Sequence, residues 1–375
     1  VQGVFGALLA PAALSTLTVT FTEPGERGKA FGIFGAVAGG GSAVGLVLGG
    51  LLTEGLSWRW CLYVNLIFAA VALVGALILL PPQERKERTT LDLPGTLLAS
   101  AGLFCIVYGF SHAASASWSS GLTVASLVAG VVLLSAFVVL ETRVANPLLP
   151  LRIILDRTRG GALLAVVISG AAIFGVFLFL TFYLQGIKGY SPIVTGLMYL
   201  PMTACIVAAS TTANIRLLPR TGPRPLAAGG MALGCVAMLL LSRLGVSSTY
   251  PGGVLPALLI LGLGFGLIFA PAINGSTAGV APDDAGVASA MVNTMQQVGG
   301  SIGTALLATV ATGATTSYLT AHHGVAFLAR GAVHGYHVAF LVSAATFLVG
   351  GVVCGLLLPA HKLPDPTTSP APASE

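Results

Sequence analysis

The sequence predicts an all-α polytopic membrane protein with about eleven transmembrane helices. Three observations predict it. Charged residues make up 8% of the 375 positions and hydrophobic residues 55%, whereas an average soluble chain is ~25% charged. Mean hydropathy is +0.93, and apolar runs of the length needed to cross roughly 30 Å of hydrocarbon recur along the chain. No run alternates apolar and polar residues as a barrel strand would, so helices are favoured over a closed sheet.

The runs lie near 1–20, 30–51, 60–80, 94–112, 121–140, 161–184, 193–213, 226–244, 253–275, 287–312 and 336–358. Alternate connections carry very different numbers of Lys and Arg. One set holds thirteen, from Arg27 through Arg85, Arg157 and Arg224 to Lys362; the other holds Arg59, Lys188, Arg243 and Arg330. The richer side is expected to be cytoplasmic. This places the C-terminal tail in the cytoplasm and residue 1 at the outer face. The net charge of +5 is thus a mark of topology, and no nucleic-acid partner is expected.

Loop lengths group the spans as three, two and six. Residues 1–80 hold three spans, 81–93 form a cytoplasmic linker, and 94–140 hold two. A second linker covers 141–160, six spans fill 161–358, and 359–375 form a disordered tail rich in Pro, Ser and Thr. The five cysteines fall in separate apolar runs with no C-x-x-C spacing, as buried free thiols would.

Span 287–312 stands apart. In GVASAMVNTMQQVGGSIG, Asn293, Gln296, Gln297 and Gly300 fall at i, i+3, i+4 and i+7, one face of a helix. Gly299 and Gly303 make a small-residue face beside it. Two readings satisfy such amides in hydrocarbon: hydrogen bonding between helices, or a water-filled transport pathway. Tyr183, Tyr199 and Asn274 are further polar candidates for that pathway, each with a packing or interfacial alternative.

Span 30–51 contains GGGSAVGLVLGG, with Gly41, Gly45 and Gly49 spaced by four and Gly50 beside the last. It resembles the antiporter motif of the major facilitator superfamily, with Leu46 where that family has Pro. Trp58, Arg59, Trp60 and Asn65 resemble the signature that follows that motif. Gln2 and Gly3 in VQGVFGALLAPAALS resemble the preceding helix. LDLPGTLL, YSPIVTGLMYLP and the stripe itself resemble the fourteen-helix drug/proton antiporter branch, the EmrB/QacA type. The chain looks like a partial major facilitator fold lacking the first three helices: an N-terminal bundle, a two-helix insert and a C-terminal bundle.

The resemblance implies a secondary active transporter in the plasma membrane. It would be a monomer, exporting hydrophobic or amphipathic drugs by alternating access with protons as the coupling ion, and would use no cofactor. All twelve acidic residues lie in loops, tails or span ends. The coupling carboxylate is therefore expected in the helices ahead of Val1. Glu54 and Asp92, at span ends, are expected to snorkel or cap. No Walker A loop, Ser-His-Asp set or metal-ligand spacing occurs in the sequence, so no catalytic residue and no metal is expected, although His334 and His337 stand one turn apart. The alternatives are an intramembrane enzyme, a non-transporting membrane scaffold, and a transporter of siderophores, sugars or lipids.

Overall fold

The computed structural model describes residues 44–79, 92–144, 155–277, 285–324 and 327–358, with isolated positions elsewhere. Ten helices are used below. They are α1 (Val44–Gly55), α2 (Trp60–Leu79), α3 (Leu93–Ser115), α4 (Gly121–Glu141), α5 (Arg157–Phe182), α6 (Pro192–Thr212), α7 (Pro223–Leu241), α8 (Leu255–Thr277), α9 (Ala285–Ala321) and α10 (Leu328–Leu357). Among the described residues, nine helices are long and apolar enough to cross a membrane, and α1 is a shorter apolar helix. The expected span at 1–20, and the first part of that at 30–51, lie outside the described residues.

Helix starts follow local chemistry. Asp92 caps α3, its Oδ1 accepting from the Gly95 amide at 2.9 Å. Asp156 caps α5, accepting from Thr158 and Arg159 at 3.1 and 3.0 Å. Each satisfies amides that have no partner inside the helix. The second cap corrects the expected linker at 141–160: α5 takes the last four residues of that stretch, because Asp156 starts the helix before the apolar run begins.

The last two helices also outrun their apolar segments. α9 continues through TGATTSYLTA to Ala321 and α10 begins at Leu328. At 1.5 Å per residue the 37 residues of α9 span roughly 55 Å, well beyond the hydrocarbon. Polar Thr and Ser do not stop a helix. Just beyond it the chain reverses through Gly324 at φ 117°, where a left-handed backbone favours glycine.

Helices α5–α10 pack around one core. Tyr183, Tyr199, Phe265, Phe340, Phe347, Met231 and Met238 are each at most 2% exposed within it. α5 packs most extensively on α9, while α8 joins α6 and α7, and α10 joins α7 and α9. The α3–α4 pair packs on itself and lays α3 against α9. A second cluster gathers Phe137 of α4, Leu149, Ala162 and Val166 of α5, Ala272 of α8 and Val292 of α9. It ties the pair to the bundle near the end where α5 begins. α1 touches α6 through backbone: a Cβ added at Gly50 would lie 2.7 Å from Ile193 Cα, and one at Gly196 would lie 2.6 Å from the Leu46 carbonyl.

Candidate functional site

The stripe forms on α9 as its spacing requires. Asn293 and Gln296 are half-buried, Gln297 is exposed and Gly300 is buried. Two turns hold the face in place. A Cβ added at Gly299 or Gly303 would overlap the backbone of Val167 or Ala171 on α5, and one at Gly170 would lie 2.7 Å from the Gln296 carbonyl. The two helices therefore meet backbone to backbone. That seam fixes the rotation of α9, and hence the direction in which the amides point. Ser301 donates to the Gln297 carbonyl at 2.9 Å, so this hydroxyl is satisfied within its own helix.

The two tyrosines lie away from the stripe, inside the bundle. The Tyr183 hydroxyl donates to the Gly245 carbonyl at 2.8 Å, and Lys188, whose ammonium stands 6.0 Å from the Tyr183 ring centroid, donates to Val246 at 2.8 Å. Together they fasten the α7–α8 connection to the end of α5, where the helix loosens into a π turn at Tyr183–Ile187. The Tyr199 hydroxyl lies 3.1 Å from that of Thr181 and donates to the Phe177 carbonyl at 3.3 Å. Its ring packs on Phe177 at 4.9 Å. The structure does not bring either hydroxyl to the α9 stripe. Asn274 lies in α8, its side chain outside the described residues.

Of the glycines in the antiporter-like run, Gly50 makes the close contact with α6. Added Cβ atoms at Gly41, Gly45 and Gly49 meet nothing within 4 Å among the described residues. Trp58 and Arg59 are exposed in the turn between α1 and α2, and Trp60, also exposed, is the first residue of α2. The Arg59 guanidinium stands 5.4 Å from the Trp58 ring centroid, and Asn65 donates to the Cys61 carbonyl at 3.0 Å. This aromatic and basic cluster suits a membrane–water boundary. Gln2 and Gly3 lie outside the described residues.

Three contacts had no sequence signal pointing to their partners. Glu54 accepts from the Ile193 amide at 3.4 Å, at the start of α6. Glu141 is 5% exposed and accepts from the Leu149 amide at 2.9 Å. Arg157 donates to the last carbonyls of α10. The first and third join segments more than a hundred residues apart in sequence, and the second bridges eight residues. Among the described residues no group of three His, Cys, Asp or Glu side chains could hold a metal ion.

Comparison with known proteins bears on what this arrangement is. The description of the Major Facilitator Superfamily matches residues 1–304. The puromycin resistance protein pur8 of Streptomyces alboniger is 51% identical over 362 residues, covering 95% of this chain and 71% of the relative. The cephamycin export protein CmcT of Amycolatopsis lactamdurans is 38% identical over 334 residues, 87% of this chain and 68% of the relative. The tetracenomycin C resistance and export protein of Streptomyces glaucescens is 34% identical over 312 residues, 82% and 56% respectively. With a match over most of its length, and an all-helical bundle whose helices can cross a membrane, this chain belongs to the major facilitator superfamily.

Proposed function

We propose that the chain is the greater part of a proton-coupled exporter of amphipathic antibiotics, working by alternating access in the plasma membrane with its C-terminus in the cytoplasm. The observation that carries this reading is the 51% identity, over 95% of the chain, with a puromycin resistance protein. The export and resistance names of the cephamycin and tetracenomycin relatives support the same substrate class. The finer assignment, to the fourteen-helix drug/proton branch as a monomer with three helices ahead of Val1, rests on the order and spacing of the motifs. In that reading α1–α2 belong to the N-terminal bundle, α3–α4 are the insert and α5–α10 the C-terminal bundle.

Asn293, Gln296 and Gln297 are assigned to the substrate pathway. Amides there can donate to and accept from a polar group of a drug whose rings lie against apolar walls. Tyr183 and Tyr199 are assigned to packing, since their hydroxyls already have partners inside the bundle. The test is a resistance profile. A susceptible host expressing the full-length gene is expected to survive puromycin at several times the inhibitory concentration of the control and to lose that protection with an uncoupler. Unchanged sensitivity to puromycin, cephamycin and tetracenomycin at normal membrane expression would overturn the substrate class.

A further inference from the structure

Between α5, α9 and α10 lies an apolar cavity of about 200 Å³. Val167, Ala171, Ile302, Leu306, Val342 and Thr346 are among its walls. These positions fall in the middle of their helices, so the cavity sits near the centre of the membrane. The only two hydroxyls lining it are already used. Ser343 donates to the Ala339 carbonyl and Thr346 to that of Val342, each at 2.9 Å. The cavity therefore offers a ligand no free hydrogen-bond donor, and apart from these two hydroxyl oxygens its walls are apolar. No Lys or Arg lines it.

Its opening can be located. Leu306 and Val342 are 41% and 36% exposed, which opens the cavity between α9 and α10. Leu306 follows Gln297 by nine residues, two and a half helical turns, so it lies on the opposite face of α9 from that exposed amide. The opening continues the apolar face of α10 formed by Leu341, Leu348, Val349 and Val352, all exposed. Such a face in a membrane helix meets lipid. Behind the cavity, Gly299 and Gly303 press against the α5 backbone, which closes the way through to the polar stripe. An apolar cavity of roughly 150 Å³ stays dry and takes up benzene; this one is larger and opens beside the exposed apolar face of α10.

We propose that the cavity holds one acyl chain of a bilayer phospholipid, its hydrocarbon end lodged between α9 and α10 at mid-membrane while the headgroup stays at the surface. The lodged chain fills dispersion contacts that the walls otherwise lack and supports α9 from the side opposite its amides. A substrate passing the stripe does not enter the cavity.

The test uses the chain in nanodiscs whose phosphatidylcholine carries a diazirine at the end of one acyl chain. After irradiation and digestion, adducts are expected on Ile302–Leu307 and Val342–Thr346 at several-fold the level on Leu348–Val352, which meets the same lipid without a cavity. Val342→Phe at the exposed rim and Ser343→Leu inside are each expected to abolish the difference. If Ser343→Leu does not fold, the rim variant decides alone. Adducts spread evenly along α10, or enrichment that survives Val342→Phe, would overturn the proposal. So would displacement of the adducts by puromycin, which would make the cavity a drug site. The readout needs no transport, so its failure leaves the export reading untouched.

Discussion

Arg157, the first residue of α5, closes the far end of the chain: its Nε donates to the Leu357 carbonyl at 3.0 Å, across 200 residues of sequence, and its Nη2 donates to Leu356. The last carbonyls of a helix have no partner within it, and a cation there also meets the negative end of the helix dipole. One side chain thus completes α10 and binds it to the start of α5.

Arg157→Gln is expected to loosen that end. Arg157 is exposed, so solvent screening reduces a charged hydrogen bond to about 1 kcal/mol. Cys354, one turn inside α10, is fully buried and reports the change. Its thiol is expected to react with a maleimide roughly fivefold faster in the variant, the factor that about 1 kcal/mol implies. An unchanged rate would mean that packing alone holds the α10 terminus.

The Gly-rich run of α1 allows a sharper contrast. A Cβ at Gly50 would lie 2.7–2.9 Å from the backbone of Pro192 and Ile193, whereas one at Gly49 meets nothing within 4 Å. Gly50→Ala forces α1 and α6 apart and is expected to cost about 1–3 kcal/mol. Gly49→Ala relieves a helical glycine and is expected to be neutral or stabilising by up to ~1 kcal/mol. Thermal unfolding in detergent distinguishes them. Equal midpoints for the two variants would show that the α1–α6 contact is not as close as described.

Glu141 tests the junction of the helix pair with the bundle. Its carboxylate, buried at the end of α4, holds the Leu149 amide, and Leu149 in turn packs into the cluster of Phe137, Ala162, Val166 and Val292. Glu141→Gln keeps an acceptor oxygen for that amide, while Glu141→Leu removes it and leaves the donor buried, at about 1–3 kcal/mol. Trypsin is expected to cut after Arg143 faster in Glu141→Leu than in Glu141→Gln or the parent. Equal cutting of all three would remove Glu141 from this role.

How far the sequence reveals these features depends on the range of the forces involved. The apolar runs mark α2–α10 because burial in lipid is decided residue by residue. The α9 stripe is legible because helical period alone brings Asn293, Gln296 and Gln297 to one face. The ends of α9 and α10 are not legible from hydropathy: Thr315, Ser317 and Thr320 read as loop, yet the helix continues through them to Ala321. Contacts such as Glu141 with Leu149, or Arg157 with Leu357, are set by tertiary packing and leave no local pattern. For the tyrosines, polarity in an apolar run suggests a pathway, but a hydroxyl paired with Thr181 or Gly245 serves packing equally well, and composition cannot separate the two.

Tyr199→Phe addresses that distinction. The change leaves Thr181 without its tyrosine partner but keeps the ring against Phe177. Hydrogen bonds between membrane helices average about 0.6 kcal/mol, so a small drop in Tm and an unchanged drug profile are expected. A changed profile at normal expression would move Tyr199 into the pathway.

The two glutamines of the stripe should separate most clearly. Gln297 is exposed while Gln296 is half-buried, its carbonyl pressed toward Gly170 of α5. Leucine in either place keeps bulk and removes hydrogen bonding. At Gln297 the chain makes no side-chain demand that leucine fails to meet, so Gln297→Leu is expected to leave expression and Tm unchanged. Loss of a hydrogen bond to a substrate is worth about 0.5–1.5 kcal/mol, which corresponds to roughly a two- to twelvefold fall in apparent affinity. At Gln296 the seam with α5 is close, and Gln296→Leu is expected to lower expression or Tm as well as efflux. The measurement is drug accumulation in cells beside the amount of folded protein in the membrane. If Gln297→Leu exports every drug as the parent does, the exposed face of α9 is not the pathway. The stripe would then serve only to join helices.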